Sequence, residues 1–134
     1  MTYEVEITRF TPDPVTERFI AATSGDAAQR TQLDNTTGFV VFVAALDRER
    51  KVDWGNFYVW CNPERALIEL HEHCEHYATD PQLLSGQNRE VSFRDEDGSA
   101  FSVPYRQTIS RDQAMAALHF WLPAQKHTPE LVWT

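Results

Sequence analysis

Alternating apolar and polar positions predict β-strands in the first half of the chain. Tyr3–Phe10 places Val5 and Ile7 on one face of a first strand. Phe39–Leu46 is a nearly continuous run of β-branched, aromatic and small apolar residues, which is typical of a strand buried on both faces. Phe57–Trp60 predicts the next strand. The pattern therefore predicts a sheet with a fully buried strand near its middle.

Two further segments have less regular patterns. Between the break at Thr11–Pro14 and turn residues at Asn35–Gly38, the segment Ser24–Leu33 predicts a helix capped by its first residue. Ala66–His73 follows Pro63, which is able to begin a helix, but its apolar residues alternate with glutamate and histidine. This alternation favours a strand.

A β-hairpin is predicted at Val91–Val103, after a loop at Pro81–Asn88. Two short runs with apolar residues flank Glu96-Asp97-Gly98. An Asp-Gly pair between such runs is a strong hairpin signal, because glycine accepts the positive φ that tight turns require.

The C-terminal segment predicts a helix followed by a short strand. Ser110 and Gln113 form a capping-box pattern, so the helix should begin at Arg111. Pro123 should stop it, and Leu131–Trp133 reads as a closing strand. One apolar stripe runs along this helix: Ala114, Ala117, Leu118, Trp121 and Leu122. A helix this short is unstable alone, so the stripe should pack on the sheet.

These elements predict an α+β fold, mostly antiparallel β-sheet with one or two helices packed on one face, in a single domain over residues 1–134. With 134 residues, 42% of them hydrophobic, the chain can bury a core without disulfides. Cys61 and Cys74 are therefore expected to be free thiols, half-buried, in a reducing cytoplasmic protein. No apolar run has membrane-spanning length, and the first residues lack a signal-peptide pattern.

The net charge of −8 is concentrated in one segment. Residues 64–97 hold nine acidic residues and three arginines, a net charge of −6. This balance argues against direct nucleic-acid binding, which needs lysine and arginine to neutralise phosphates. Charge alone leaves two interpretations open: a solvated face that maintains solubility, or a surface complementary to a basic partner.

A histidine-rich segment is the main candidate for metal chemistry. If this segment is a strand, His71 and His73 lie on one face and could bind a metal, with Cys74 or His76 as a third ligand. An exposed polar strand face is the simpler interpretation, and we expect no metal or other cofactor. The segment also lacks the cysteine pair of zinc deaminases, and no nucleophile–base pair is evident, so we predict that the chain is not an enzyme.

Aromatic residues are mostly expected in the core. Trp121 and Trp133 belong to the C-terminal unit and should be structural. Trp54 follows a charged turn and is the best candidate for a partly exposed aromatic anchor, a common interface hot spot.

The C-terminal unit resembles the signature of bacterial polymorphic-toxin immunity proteins, specifically immunity protein family one. In that family a hydrophobic helix is followed by a linker, Pro, an acidic residue, Leu and Trp. The matching residues are Ala114, Ala117, Leu118, Phe120, Leu122, Thr128, Pro129, Glu130, Leu131 and Trp133. The hairpin at Val91–Val103 also matches, whereas the family's linker glycine is replaced within 124–127.

The resemblance implies an immunity protein that neutralises a cognate toxin domain, often a nucleic-acid deaminase or nuclease, by occluding its active site. The partner is then a protein, with no direct contact to nucleic acid or membrane. The expected contact residues are Glu69, Glu72, Glu75, Asp95, Glu96, Asp97 and Trp54. The alternative is a small metal-binding module or metal-dependent enzyme built on His71, His73 and His76.

Overall fold

The computed structural model describes residues 1–10, 12–32, 38–83 and 88–134. Within these ranges the chain forms nine β-strands, two α-helices and one 3₁₀ helix. The strands are β1 (Thr2–Phe10), β2 (Pro14–Ala21), β3 (Phe39–Asp47), β4 (Val52–Cys61), β5 (Ala66–His71), β6 (Glu75–Thr79), β7 (Glu90–Arg94), β8 (Ala100–Pro104) and β9 (Val132–Trp133). The helices are α1 (Ser24–Arg30) and α2 (Arg111–Trp121), and the 3₁₀ helix is Tyr105–Gln107.

Seven strands form one antiparallel sheet in the order β2-β1-β3-β4-β5-β6-β9. β3 lies inside the sheet, paired with β1 on one side and β4 on the other, and most of its residues are buried on both faces, as predicted. β7 and β8 pair with each other as a separate hairpin. The predicted α+β class and mostly antiparallel sheet are confirmed.

Both helices pack on the same face of the sheet. Ala27 of α1 and the apolar stripe of α2 share one core with inward residues of β1, β3, β4 and β5. Every residue of the predicted stripe is buried, and Ser110 and Gln113 form the predicted capping box. Burying one large apolar side chain contributes about 1.5–3 kcal/mol, so docking supplies the stability that α2 lacks alone.

The β7–β8 hairpin covers part of the opposite face. Its Val91 and Phe93 pack with Leu67 of β5, and Trp60 and Phe101 lie against this small cluster. The predicted hairpin is therefore confirmed. It forms a second layer, because its apolar residues bury against the face that the helices leave free.

Several boundaries differ from the sequence predictions. β2 was not predicted, because this edge strand exposes most of its side chains and shows little apolar alternation. The N-cap of α1 is Thr23 instead of the predicted Ser24. The Thr23 hydroxyl accepts a hydrogen bond from the Asp26 N–H. β5 is the predicted strand but ends at His71, two residues early.

At the C-terminus the closing strand is confirmed, with two residues instead of three, and Trp133 is half-buried. Some predicted features lie outside the described residues: Thr11 in the first break, Leu33 in the helix, and the turn and loop parts at 35–37 and 84–87.

Candidate protein-binding site

The sheet face opposite the helices carries a group of aromatic and acidic side chains beside the hairpin. Strand alternation places Glu6, Phe42, Tyr58 and Glu69 on this face, since their neighbours Val5, Val41, Phe57 and Ile68 point into the helix-side core. The hairpin turn adds Asp95 and Glu96. We call this group the acidic aromatic face; its residues are Glu6, Phe42, Tyr58, Trp60, Glu69, His71, Asp95 and Glu96.

Tyr58 lies at the centre of the aromatic part. Its ring centroid is 4.9 Å from that of Phe42, and it stacks on Trp60 at 5.5 Å with an interplanar angle of 8°. The His71 ring lies 5.2 Å away on the other side. Four rings from β3, β4 and β5 therefore form one continuous, partly exposed surface.

Acidic groups from three parts of the chain surround Tyr58. Burial raises the pKa of the Tyr58 hydroxyl, and the negative charges of Glu96 and Glu69 raise it further. Glu6 and Asp95 act in the same direction. The contributions of these four carboxylates, which add to that of burial, make the local potential at Tyr58 negative.

The hairpin turn positions its three carboxylates differently. Asp95 accepts from the Trp60 indole N–H at 3.3 Å and from the Glu96 backbone N–H, and thereby anchors the turn to β4. Asp97 accepts from the Ser99 N–H, and this hydrogen bond lowers the pKa of Asp97. Gly98 has φ +88°, the left-handed conformation that the sequence predicted for this turn.

Glu96 is an exposed carboxylate of the hairpin turn that interacts electrostatically with Glu6 on β1. Partial burial raises the pKa of Glu96, and the charges of Asp95 and Glu6 raise it further, whereas Arg18 opposes the shift. Like charges held this close favour a cationic partner. Among the predicted contact residues, Glu96 is therefore best placed to meet one.

Glu69 and Glu75 lie on the same side of the sheet, since Glu69 pairs with Tyr77 and His71 pairs with Glu75. Glu69 accepts from the His71 Nε2 at 2.6 Å, and Glu75 accepts from the Tyr77 hydroxyl at 3.2 Å. A groove of about 530 Å³ lies between these strands and the hairpin. It is lined by Leu67, Glu69, Tyr77, Thr79, Phe101, Val103, Gln107 and Thr134.

Glu72 does not join the other predicted contact residues. β5 ends at His71, and the tight turn at 72–74 interrupts the alternation that would have aligned Glu72 with its neighbours. Its carboxylate instead contacts His127 Nε2 at 2.7 Å, His76 Nε2 at 3.9 Å and the Trp121 indole N–H at 3.4 Å. These contacts lie on the helix side of the sheet.

The predicted histidine set is also divided. His71 contacts Glu69 on the acidic aromatic face, His73 is exposed in the turn, and His76 lies with Glu72 and His127. Among the described residues, His71, His73 and His76 do not form one ligand group. His127 was missed because it lies on the connector after α2, far from the other histidines in sequence.

Trp54 is exposed, as predicted, but lies apart from the hairpin turn. A β-bulge at this point pairs Ala45 with Gly55 and Leu46 with Asp53, which leaves Trp54 without a partner on β3. Trp54 and Trp60 are six positions apart on β4, roughly 20 Å along the strand. Trp54 is thus a second, separate exposed aromatic position.

Both cysteines are free, but neither is half-buried. Cys61 is buried in the helix-side core, and burial raises the pKa of its thiol to about 12. Cys74 is exposed in the turn before β6, with its Sγ 3.5 Å from His76 Nε2. The two thiols therefore occupy separate environments.

Sequence alone missed Glu6, Phe42 and Tyr58. Their alternation with apolar residues was visible in the sequence, but whether they come together depends on the order of strands in the sheet.

No protein-family model matches the chain, and no curated protein compared with it matches either. In the part of the chain that the structure describes, every helix is too short or too polar to span a membrane.

Proposed function

We propose that this protein is an immunity protein, which binds the toxin domain of a bacterial polymorphic toxin and blocks its active site. The observation that carries this proposal is the acidic aromatic face. Carboxylates from β1, β5 and the hairpin turn surround stacked aromatic rings on a sheet face that the helices do not cover. The C-terminal resemblance to immunity protein family one supports the same function.

The composition of this face suits protein recognition. Aromatic side chains supply much of the binding energy at interfaces, and partly exposed rings such as Tyr58 can bury further area against a partner. Surrounding carboxylates accelerate association with a basic surface and reject acidic ones. The nearby arginines do not reverse this character. Arg18 offsets Glu6 and Arg48 offsets Glu4 at the surface, and the carboxylates of Glu69, Asp95 and Glu96 add three further negative charges.

A toxin that acts on nucleic acid provides the required basic surface. Its substrate groove must carry lysine and arginine to bind phosphates. The acidic aromatic face would occupy that groove, exclude the substrate by steric and electrostatic means, and require no turnover. The same negative potential would repel nucleic acid from the immunity protein itself. We propose that the protein acts in the cytoplasm, where such a toxin reaches its substrate.

The proposal predicts that the gene immediately upstream encodes a toxin domain, and co-expression with that domain tests it. We expect the parent protein to restore bacterial growth and to form a stable complex with that domain. Failure of the folded parent protein to protect or bind would contradict the proposed function.

Two matched variants then test the surface. The face variant is Glu6→Gln, Glu69→Gln and Glu96→Gln; the control variant is Glu17→Gln, Glu49→Gln and Glu130→Gln. Each has a net charge of −5 in place of −8, and the control residues are all exposed. We expect weaker protection only from the face variant. Equal protection by both, at toxin levels that challenge the parent, would place the inhibitory surface elsewhere.

A further inference from the structure

We propose a binding site for a zinc-class divalent metal ion formed by Glu72, His76 and His127. One ligand atom from each residue lies within 4.8 Å of the other two. Both histidines direct Nε2 towards Glu72 Oε1, at 2.7 Å for His127 and 3.9 Å for His76. The site lies on the helix side of the sheet, so it is independent of the proposed toxin-binding function.

These distances bracket the spacing that a tetrahedral ion requires. Zinc binds histidine nitrogen and carboxylate oxygen at about 2.0–2.2 Å, which puts neighbouring ligand atoms roughly 3.3 Å apart. The two observed distances from Glu72 Oε1 lie on either side of this value. Small side-chain rotations would therefore open space for an ion without moving the strands.

The ligands are held by surrounding contacts. The indole N–H of Trp121, which is fully buried at the end of α2, donates to Glu72 Oε2 at 3.4 Å and orients the carboxylate. The His127 ring packs against Trp133 at 4.8 Å and against His76 at 5.1 Å. Outer contacts that fix ligand orientation are a regular property of metal sites.

The ligand chemistry selects the class of ion. Two imidazoles and one carboxylate suit zinc and related transition metals, whereas calcium and magnesium prefer oxygen ligands throughout. The three side chains retain exposures of 18–30%, which leaves a path for the ion and for a solvent ligand. Cys74 Sγ lies 3.5 Å from His76 Nε2 but is not part of this three-residue group.

The site would fasten the C-terminal segment to the sheet. Glu72 lies in the turn after β5, His76 on β6, and His127 on the connector between α2 and β9. β9 pairs with β6 over only two residues, so backbone pairing alone holds this edge weakly. An ion shared by these three positions would stabilise this short edge.

Zinc titration of tag-free, chelator-treated protein tests the site. We expect the parent to bind one equivalent of ZnCl₂ in calorimetry, and to unfold at a higher temperature when zinc is present. His76→Gln and His127→Gln should weaken binding by at least about tenfold, because each removes a direct ligand.

His73→Gln is the matched control, because His73 is an exposed histidine of the same segment outside the cluster. It should bind zinc like the parent. An equal loss of affinity in His73→Gln and His76→Gln, or no saturable binding by the parent, would overturn the proposal.

Cobalt substitution of the parent keeps the test independent of whether the variants fold. Bound Co²⁺ should give the intense visible absorption of tetrahedral coordination, and equimolar zinc should remove it. A weak spectrum typical of octahedral coordination would contradict the proposed site.

Discussion

At the scale of single residues, burial decides which side chains support the fold and which remain available for contact. Trp121 is fully buried between Phe57 and Glu72, whereas Phe120 on the same helix is 47% exposed. Trp133, expected to be structural, is half-buried and donates its indole N–H to the Thr128 carbonyl. Trp121 is therefore expected to contribute more to stability than Phe120 or Trp133.

We predict that Trp121→Ala lowers the free energy of unfolding by about 3–5 kcal/mol, because it leaves a large cavity in the core. Phe120→Ala is the control on the same helix and should change stability by less than about 0.5 kcal/mol. Urea unfolding measures both. Similar midpoints for the two variants would mean that α2 does not dock through its predicted stripe.

The two cysteines should differ in reactivity and in their effect on stability. Cys61 holds its proton in the fold, with its pKa raised by burial from 9.0 to about 12. A raised folded-state pKa stabilises the protein below the unfolded pKa, and this contribution is lost as pH rises from about 9 towards 12.

We therefore predict that a thiol reagent at pH 8 modifies Cys74 rapidly in the native protein and Cys61 only after unfolding. Cys61→Ala should also reduce the loss of stability between pH 9 and the onset of alkaline unfolding. Rapid modification of both thiols in the native state would show that the helix-side core is open.

At the scale of elements, the sequence predicted the helix and the hairpin whose structure depends on interactions between residues close in sequence. The capping box and apolar spacing identified α2, and Asp97-Gly98 identified the hairpin, because both depend on residues close in sequence. β2 was missed because its edge position requires no apolar alternation. The acidic aromatic face was predicted only in part, because Glu6 and Glu96 meet through sheet order and hairpin docking.

The cap of α2 provides a quantitative check at this scale. Ser110 accepts from the Gln113 N–H at 3.0 Å, and the Gln113 side chain accepts from the Ser110 N–H at 2.8 Å. We predict that Ser110→Ala lowers the free energy of unfolding by about 1 kcal/mol, with Ser110→Asn closer to the parent. Chemical denaturation measures this loss; an unchanged stability in Ser110→Ala would mean that the cap adds nothing.

At the scale of the whole molecule, the two sheet faces carry different features. The helix side holds the core and the proposed metal site, and the opposite side combines the hairpin with the acidic aromatic face. Changes to Glu6, Glu69 and Glu96 should therefore alter partner association with little effect on folding. This separation allows the binding proposal to be tested without loss of the fold.

The most direct test measures association rates of the parent, the face variant and the control variant with the toxin domain across a salt series. We predict that the face variant associates on the order of tenfold more slowly at low salt, with the difference shrinking as salt screens the charges. The control variant, which has the same net charge, should remain close to the parent. Equal rates for the face and control variants at every salt concentration would contradict a binding role for the acidic aromatic face.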